Sequence, residues 1–188
     1  MTSQFLHGVP QVARRFASQR SLDGVTQREP DTRTEPLQVE VVIEVPRGSV
    51  LKRSYSGALD FISPIPCPFN YGSVHAYVGL DGDLLDALVL GPRLARGTRV
   101  QVTVFGAIGL TDRSLYDDKL VCSPQPITER QRRRVVRFFH FYAQCKRLLN
   151  FFRGRPGLNH CNGWGDAGVA TSRARIRDET WPGPSVPY

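Results

Sequence analysis

No run in this sequence is apolar for the ~20 residues that a membrane-spanning helix needs, and the longest apolar stretches are only strand-sized. Cysteine is scarce, with four in 188 residues, and Cys67, Cys122, Cys145 and Cys161 show neither a CxxC pair nor a zinc-ligand spacing. Structural zinc is thereby excluded, and reduced thiols in an intracellular compartment are the expectation. The dipeptide His160-Cys161 is read as loop rather than ligand. No aromatic stacking motif of a nucleic-acid binder can be placed, so nucleic acid is not the expected partner despite a net charge of +8.

Acidic residues are missing from the first 22 positions, which carry Arg14, Arg15 and Arg20 among several serines. A basic, acid-free leader is the composition of an organelle transit peptide. Arg14-Arg15-Phe16-Ala17 resembles the arginine-aromatic-small pattern cut on entry to mitochondria. Residues 1–22 are therefore expected to be a presequence addressed to the mitochondrial matrix. Residues 23–37, polar and holding Pro30 and Pro36, read as a linker. The excess charge lies elsewhere: residues 129–188 alone carry a net +8, and the rest of the chain balances to zero. This basic third suits nucleic acid, an acidic protein partner or anionic lipid, or simply a solvated surface.

What the chain does contain is a series of short strand patterns. Residues 38–46 are β-rich and end at Pro46, and residues 50–55 resume after the Gly48-Ser49 turn. Pro64, Pro66 and Pro68 force an irregular, extended passage into Asn70-Tyr71-Gly72. Residues 85–90, 99–110 and 119–122 are further strands; the second alternates over Val100, Val102 and Val104, then passes Gly106 and Gly109, where a barrel strand can bend. Thr128 and Gln131 make a capping box. Val135, Phe138, Phe139, Tyr142, Cys145 and Leu149 then recur at helical spacing, until Gly154, Pro156 and Gly157 break the pattern. Residues 165–179 suggest a second, weaker helix, and residues 180–188 a Pro-rich tail, which leaves 38–179 as the domain. Several short strands with late helices indicate a mainly β (α+β) fold: a small closed barrel flanked by helices.

The chemistry concentrates in Asp81-Gly82-Asp83-Leu84-Leu85-Asp86, with a second group at Asp112, Asp117 and Asp118 followed by Lys119. Carboxylates gathered this closely repel one another unless a cation is held among them. Oxygen donors without His or Cys select Mg²⁺, or Mn²⁺, over zinc.

These groups and their flanks resemble one family. Val41 to Pro46, Ser56 to Leu59, Pro68-Phe69-Asn70-Tyr71-Gly72, Leu80 to Asp86, Asp112 to Lys119, Phe138-Phe139 with Tyr142, and Gly163-Trp164 fall in the order found in soluble family I inorganic pyrophosphatases. The resemblance spans about residues 38–175 and implies a five-stranded OB-like barrel that hydrolyses inorganic diphosphate with Mg²⁺. It implies Asp81, Asp86 and Asp117 as ligands of the tightest metal, and Asp86 as a bridge to a second. Asp112 with Asp117 would hold a metal arriving with substrate, and Glu44 would contact a further one through water. Asp83 would be the general base, and Lys52, Tyr71, Lys119 and Tyr142 would hold phosphate oxygens. A free enzyme of this family is expected to be a homo-oligomer.

The departures fall on the phosphate side. Lys52-Arg53-Ser54 lacks the family's glutamate, and no arginine between Ser54 and Pro92 matches the phosphate-binding one. Cys67 stands for a tyrosine, Ala143 for a lysine and Leu84 for a proline. Each lost charged contact to phosphate is worth about 1.5–3 kcal/mol. The alternative expectation is therefore a catalytically idle relative retained as a structural subunit of a mitochondrial assembly.

Overall fold

In the computed structural model the described residues are 36–53, 59–62, 65–112, 115–152 and 158–183; the side chains of residues 51–53 and 59–62, and those of Asp112 and Leu149, are outside that description. The expected presequence, nearly all of the linker and the last residues of the tail lie outside it as well. The elements, in chain order, are β1 (Gln38–Val45), β2 (Leu51–Arg53), β3 (Leu59–Ile62), β4 (Asn70–Val78), β5 (Leu84–Val89), β6 (Arg99–Asp112), β7 (Leu115–Tyr116), β8 (Lys119–Ser123), α1 (Glu129–Phe152), β9 (His160–Gly165), α2 (Ala167–Arg173) and β10 (Arg175–Ile176).

Five strands close on themselves. The order β1-β4-β5-β8-β6 returns to β1 through a β6–β1 ladder that pairs Gln38 with Thr103 and Val42 with Arg99. Every neighbour is antiparallel except β5 and β8, which run parallel. The expected closed, five-stranded barrel is the architecture found. Off its wall, β2 pairs with β3, β7 and β9 extend β6, and β10 adds to β4.

Alternation in the strands sorts side chains into two cores. Val39, Val41, Ile43, Leu85, Ala87, Val89, Val102, Val104, Leu120 and Cys122 point inward and fill the barrel. Leu88, Leu90, Ile108, Leu110 and Val121 stand on the outer wall, where Val135, Phe139 and Ala143 of α1 cover them. This explains why Leu85–Leu90 is apolar without a break apart from Asp86: both faces of β5 are covered. Burying Val135 or Phe139 stabilises this contact by about 1.5–3 kcal/mol each. The expected capping box starts α1, with Gln131 N–H donating to Thr128 Oγ1 at 3.2 Å and Thr128 N–H to Gln131 Oε1 at 2.7 Å.

The two glycines read as bends sit at irregularities of β6: its register slips between Val104 and Gly106 against β8, and between Gly109 and Leu110 against β9. A methyl at Gly106 would stand 2.4 Å from the Trp164 ring, so the indole packs against bare backbone. None of the four cysteines is in a disulfide. Among the described residues no helix is long and apolar enough to cross a membrane.

One strand was not foreseen and two expectations are corrected. Beyond the irregular passage, which holds over residues 65–69 as expected, Asn70 opens a nine-residue strand, β4, between β1 and β5. Its polar start is stable because Asn70, fully buried, satisfies its own amide: Nδ2 donates to the carbonyls of Val89 (3.2 Å) and Pro92 (2.8 Å), and Oδ1 accepts from the N–H groups of Arg47 (3.0 Å) and Leu94 (2.9 Å). His160-Cys161 belongs to β9, where the β6 edge supplies partners that the sequence cannot show, and Cys161 is buried. The second helix is only Ala167–Arg173. Asp166 caps it by accepting from Val169 N–H at 3.0 Å, and it stops at Ala174 because Arg175 and Ile176 pair with β4 instead.

Candidate active site

The acidic residues gather where β5 leaves its preceding turn and β8 begins. Gly79 to Asp83 form that turn: Gly79 N–H donates to the Asp83 carbonyl at 2.8 Å, and Gly82 takes φ +88°, which its missing Cβ permits. Asp81 is folded back, its Oδ1 accepting from Asp83 N–H at 3.1 Å. The Trp181 indole N–H donates to the Gly82 carbonyl at 3.1 Å, so the first part of the expected tail is anchored on this turn. Asp86 stands on the outer wall of β5, opposite Ser73 of β4, and Tyr71 donates its hydroxyl to Asp86. Lys119, at the start of β8 and buried, donates to Asp86 at 2.5 Å and to Asp117 at 2.8 Å. Gly72 matters in the same wall, since a Cβ there would sit 2.0 Å from the Val42 carbonyl oxygen.

Asp81, Asp86, Asp117 and Asp118 line one pocket, with Leu84, Tyr116, Ala170 and Arg173 around it. Burial, then repulsion from Asp117 and Asp86, pushes the Asp81 carboxyl up to about 6. Burial alone would favour loss of the Lys119 proton, but Asp117 and Asp86 outweigh it and hold the ammonium well above its ordinary value. Among the described residues no three carboxylates close around one point, because Lys119 draws Asp86 and Asp117 to itself. Asp117 and Asp86 nevertheless repel Asp81 across a half-buried site. A divalent cation would relieve that repulsion, and the all-oxygen donor set fits Mg²⁺. Asp118 Oδ1 is buried, with no hydrogen-bond partner among the described residues. The pocket is open to solvent, and its volume of about 10 Å³ is of the order of one water or ion.

The other expected residues are placed less uniformly. Glu44 lies on β1 beside this wall and accepts from Ser73 Oγ at 2.6 Å, so Glu44, Ser73 and Asp86 form a polar row across three strands. Asp83 follows Asp81 in the turn and is half-buried. Tyr142 is stacked on Phe138, ring centroids 6.2 Å apart, within the aromatic face of α1, and is not among the residues lining the pocket. The side chains of Lys52 and Asp112 are outside the described residues; their backbones lie in β2 and β6. Arg47 does not reach into the pocket: its Nη1 donates to the Gly91 carbonyl at 2.9 Å. One lining residue escaped sequence reasoning. Arg173, at the end of α2, donates to Asp118 Oδ2 at 2.9 Å and lies over the Tyr116 ring at 4.9 Å. Asp118 was the available signal, since an acid that folds into a core calls for a cation.

A family profile described as inorganic pyrophosphatase matches residues 41–174. The inorganic pyrophosphatase of Saccharolobus solfataricus is 31% identical over 165 residues, covering 76% of this chain and 90% of that protein. The crystal structure of inorganic pyrophosphatase from Thermus thermophilus superposes with a TM-score of 0.59 at 28% identity, covering 74% of this chain and 88% of the other. An inorganic pyrophosphatase from Neisseria gonorrhoeae gives 0.56 at 25% identity, over 72% and 86% of the two chains. With its barrel, its clustered aspartates and a match across most of its length, this chain belongs to the inorganic pyrophosphatase family.

Proposed function

We propose that the chain hydrolyses inorganic diphosphate to two orthophosphates with Mg²⁺. The observation that carries this is the pocket that brings Asp81, Asp86 and Asp117 together, where Asp117 and Asp86 repel Asp81, in a chain of this family. Asp81, Asp86 and Asp117 would hold the cation, with Asp112 and Glu44 serving further ions; Mn²⁺ has the same donor preference. When bound, the metal supplies charge against diphosphate oxygens and makes nearby water more acidic. Asp83 takes the proton of the attacking water. The water oxygen bonds to one phosphorus, the bridging P–O bond breaks, and the leaving orthophosphate keeps the electron pair. Lys52, Lys119, Tyr71 and Tyr142 contact phosphate oxygens, and Lys119 also fixes the directions of Asp86 and Asp117.

A phosphate-release assay with purified protein, Mg²⁺ and diphosphate tests this, with Asp83→Asn prepared identically as the blank. Removing a general base lowers the rate by about 10²–10⁴; equal rates from the two proteins would refute the assignment. The alternative of a catalytically idle structural subunit gains no support from the relatives compared above. The acid-free leader supports a mitochondrial address, and N-terminal sequencing of native protein should begin near Ala17. A homo-oligomer is the proposed free form, with the outward residues Phe141, Leu148, Phe151 and Phe152 of α1 as the surface a second copy would bury. Light scattering on the parent and on Phe152→Ser checks it, dissociation being the expected effect of the substitution.

A further inference from the structure

Resting on the diphosphatase reading, we infer that Arg173 is a substrate-binding residue: a guanidinium, delivered by α2, that takes phosphate oxygens of diphosphate at the mouth of the aspartate pocket. The pocket opens to solvent, so diphosphate approaching its aspartates passes the residues at its mouth. Arg173 is at that mouth. It lines the pocket, and its side chain is 42% exposed.

Its donors support the same conclusion. A guanidinium carries five N–H groups, and among the described residues Arg173 has one hydrogen bond, Nη1 to Asp118 Oδ2 at 2.9 Å. The remaining N–H groups have no acceptor among the described residues. The planar group is nevertheless held in place on two sides. Asp118, whose side chain is only 6% exposed, grips one end, and the Tyr116 ring supports the face at 4.9 Å. A fixed, half-satisfied guanidinium beside a site for divalent cations suits planar, two-pronged contact with phosphate. It also answers the deficit on the phosphate side. No arginine stands between Ser54 and Pro92, Ala143 is a buried alanine where the family's lysine is expected, and Arg47 is turned to the Gly91 carbonyl. Arg173 lies on a different element from all three.

The competing account is that Arg173 only neutralises Asp118. A double-mutant cycle separates the two. The full chain, Arg173→Met, Arg173→Lys, Asp118→Asn and the double variant Asp118→Asn/Arg173→Met are compared for KM and kcat with diphosphate at saturating Mg²⁺, alongside melting curves. Loss of a charged phosphate contact should raise KM by about tenfold to hundredfold in Arg173→Met, with partial recovery in Arg173→Lys. The same rise should persist when Asp118→Asn is the background. The double variant leaves no buried charge unpaired, so it keeps the test valid if Arg173→Met alone folds poorly. A KM within twofold of the parent, or a defect that disappears in the Asp118→Asn background, overturns the inference.

Calorimetric binding of methylenediphosphonate in the presence of Mg²⁺ gives a readout independent of turnover. Weaker binding by Arg173→Met supports the assignment, even if the parent turns over no diphosphate and the hydrolytic reading falls. Equal binding by parent and variant, or no binding by the parent, overturns it.

Discussion

Replacing Asp81 by Asn should stabilise the metal-free protein at neutral pH, although it removes a proposed ligand. The Asp81 carboxyl is pushed up to about 6 by burial and by Asp117 and Asp86, from an ordinary value of 3.8. A folded-state value above the unfolded one means that the native state binds the proton more tightly. The associated stability is fully present below about pH 4 and is lost as pH rises through about 6. Two units correspond nominally to about 3 kcal/mol; solvent reaches part of the side chain, and screening reduces this to about 1–2 kcal/mol. Asn keeps the Oδ1 that accepts from Asp83 N–H and cannot ionise. Urea unfolding in EDTA should therefore show Asp81→Asn more stable than the parent by about 1–2 kcal/mol at pH 7.5 and nearly equal at pH 4. In Mg²⁺ the order should reverse, because a ligand at a hundred times its Kd adds about 2.7 kcal/mol to the state that binds it. A variant less stable than the parent in EDTA at pH 7.5 would refute the account of carboxylate repulsion. An unchanged order in Mg²⁺ would refute Asp81 as a ligand.

Lys119→Met leaves Asp86 and Asp117 facing each other without their buried cation, and should cost about 3–5 kcal/mol in metal-free denaturation curves; Mg²⁺ should recover part of that loss. Asn70→Ala orphans two N–H groups and two carbonyls at once, so a loss of about 2–4 kcal/mol is expected in the same assay, with no dependence on Mg²⁺. Gly72→Ala forces a methyl to within 2.0 Å of the Val42 carbonyl oxygen. It should open the β1–β4 ladder and cost about 3 kcal/mol or more, read as a fall in melting temperature.

The parts legible in the sequence were those whose reason is local. The capping box at Thr128, the alternation over Val100, Val102 and Val104 in β6 and the stripe on α1 each depend on residues a few positions apart, and the structure forms them as expected. The bends at Gly106 and Gly109 were legible because a missing side chain is visible in any context. β4 was not. Its Asn70-Tyr71-Gly72-Ser73 start carries no apolar alternation, because Asn70 is satisfied by β5, by the loop after it and by Arg47, while Gly72 is required by the close approach of β1. Those partners are 15 or more residues away in sequence. The acidic groups were legible as a pair of clusters, but the ion pairs by which Lys119 joins them were not. Its buried position between Asp86 and Asp117 follows from the parallel β5–β8 pairing, which sets Ala87 beside Leu120. No local pattern reports that register.

The same reasoning explains how a helix of seven residues can place a functional side chain. Ala170 is buried in the barrel core, and Arg173 lies three positions later on the same helical face. Once the small side chain at 170 seats against the core, the direction of residue 173 is set. The Asp166 cap fixes one end of α2, and the β10 pairing of Arg175 and Ile176 with Tyr77 and Val78 fixes the other. A loop-borne arginine would lose several rotatable bonds of freedom on binding phosphate, at about 0.5–1.5 kcal/mol for such a side chain. Arg173 has already lost that freedom to Asp118 and Tyr116 in the folded state. Supplying a cation from this short helix is therefore a physically sufficient replacement for one missing from the β2–β3 side, and the two positions need share no sequence pattern.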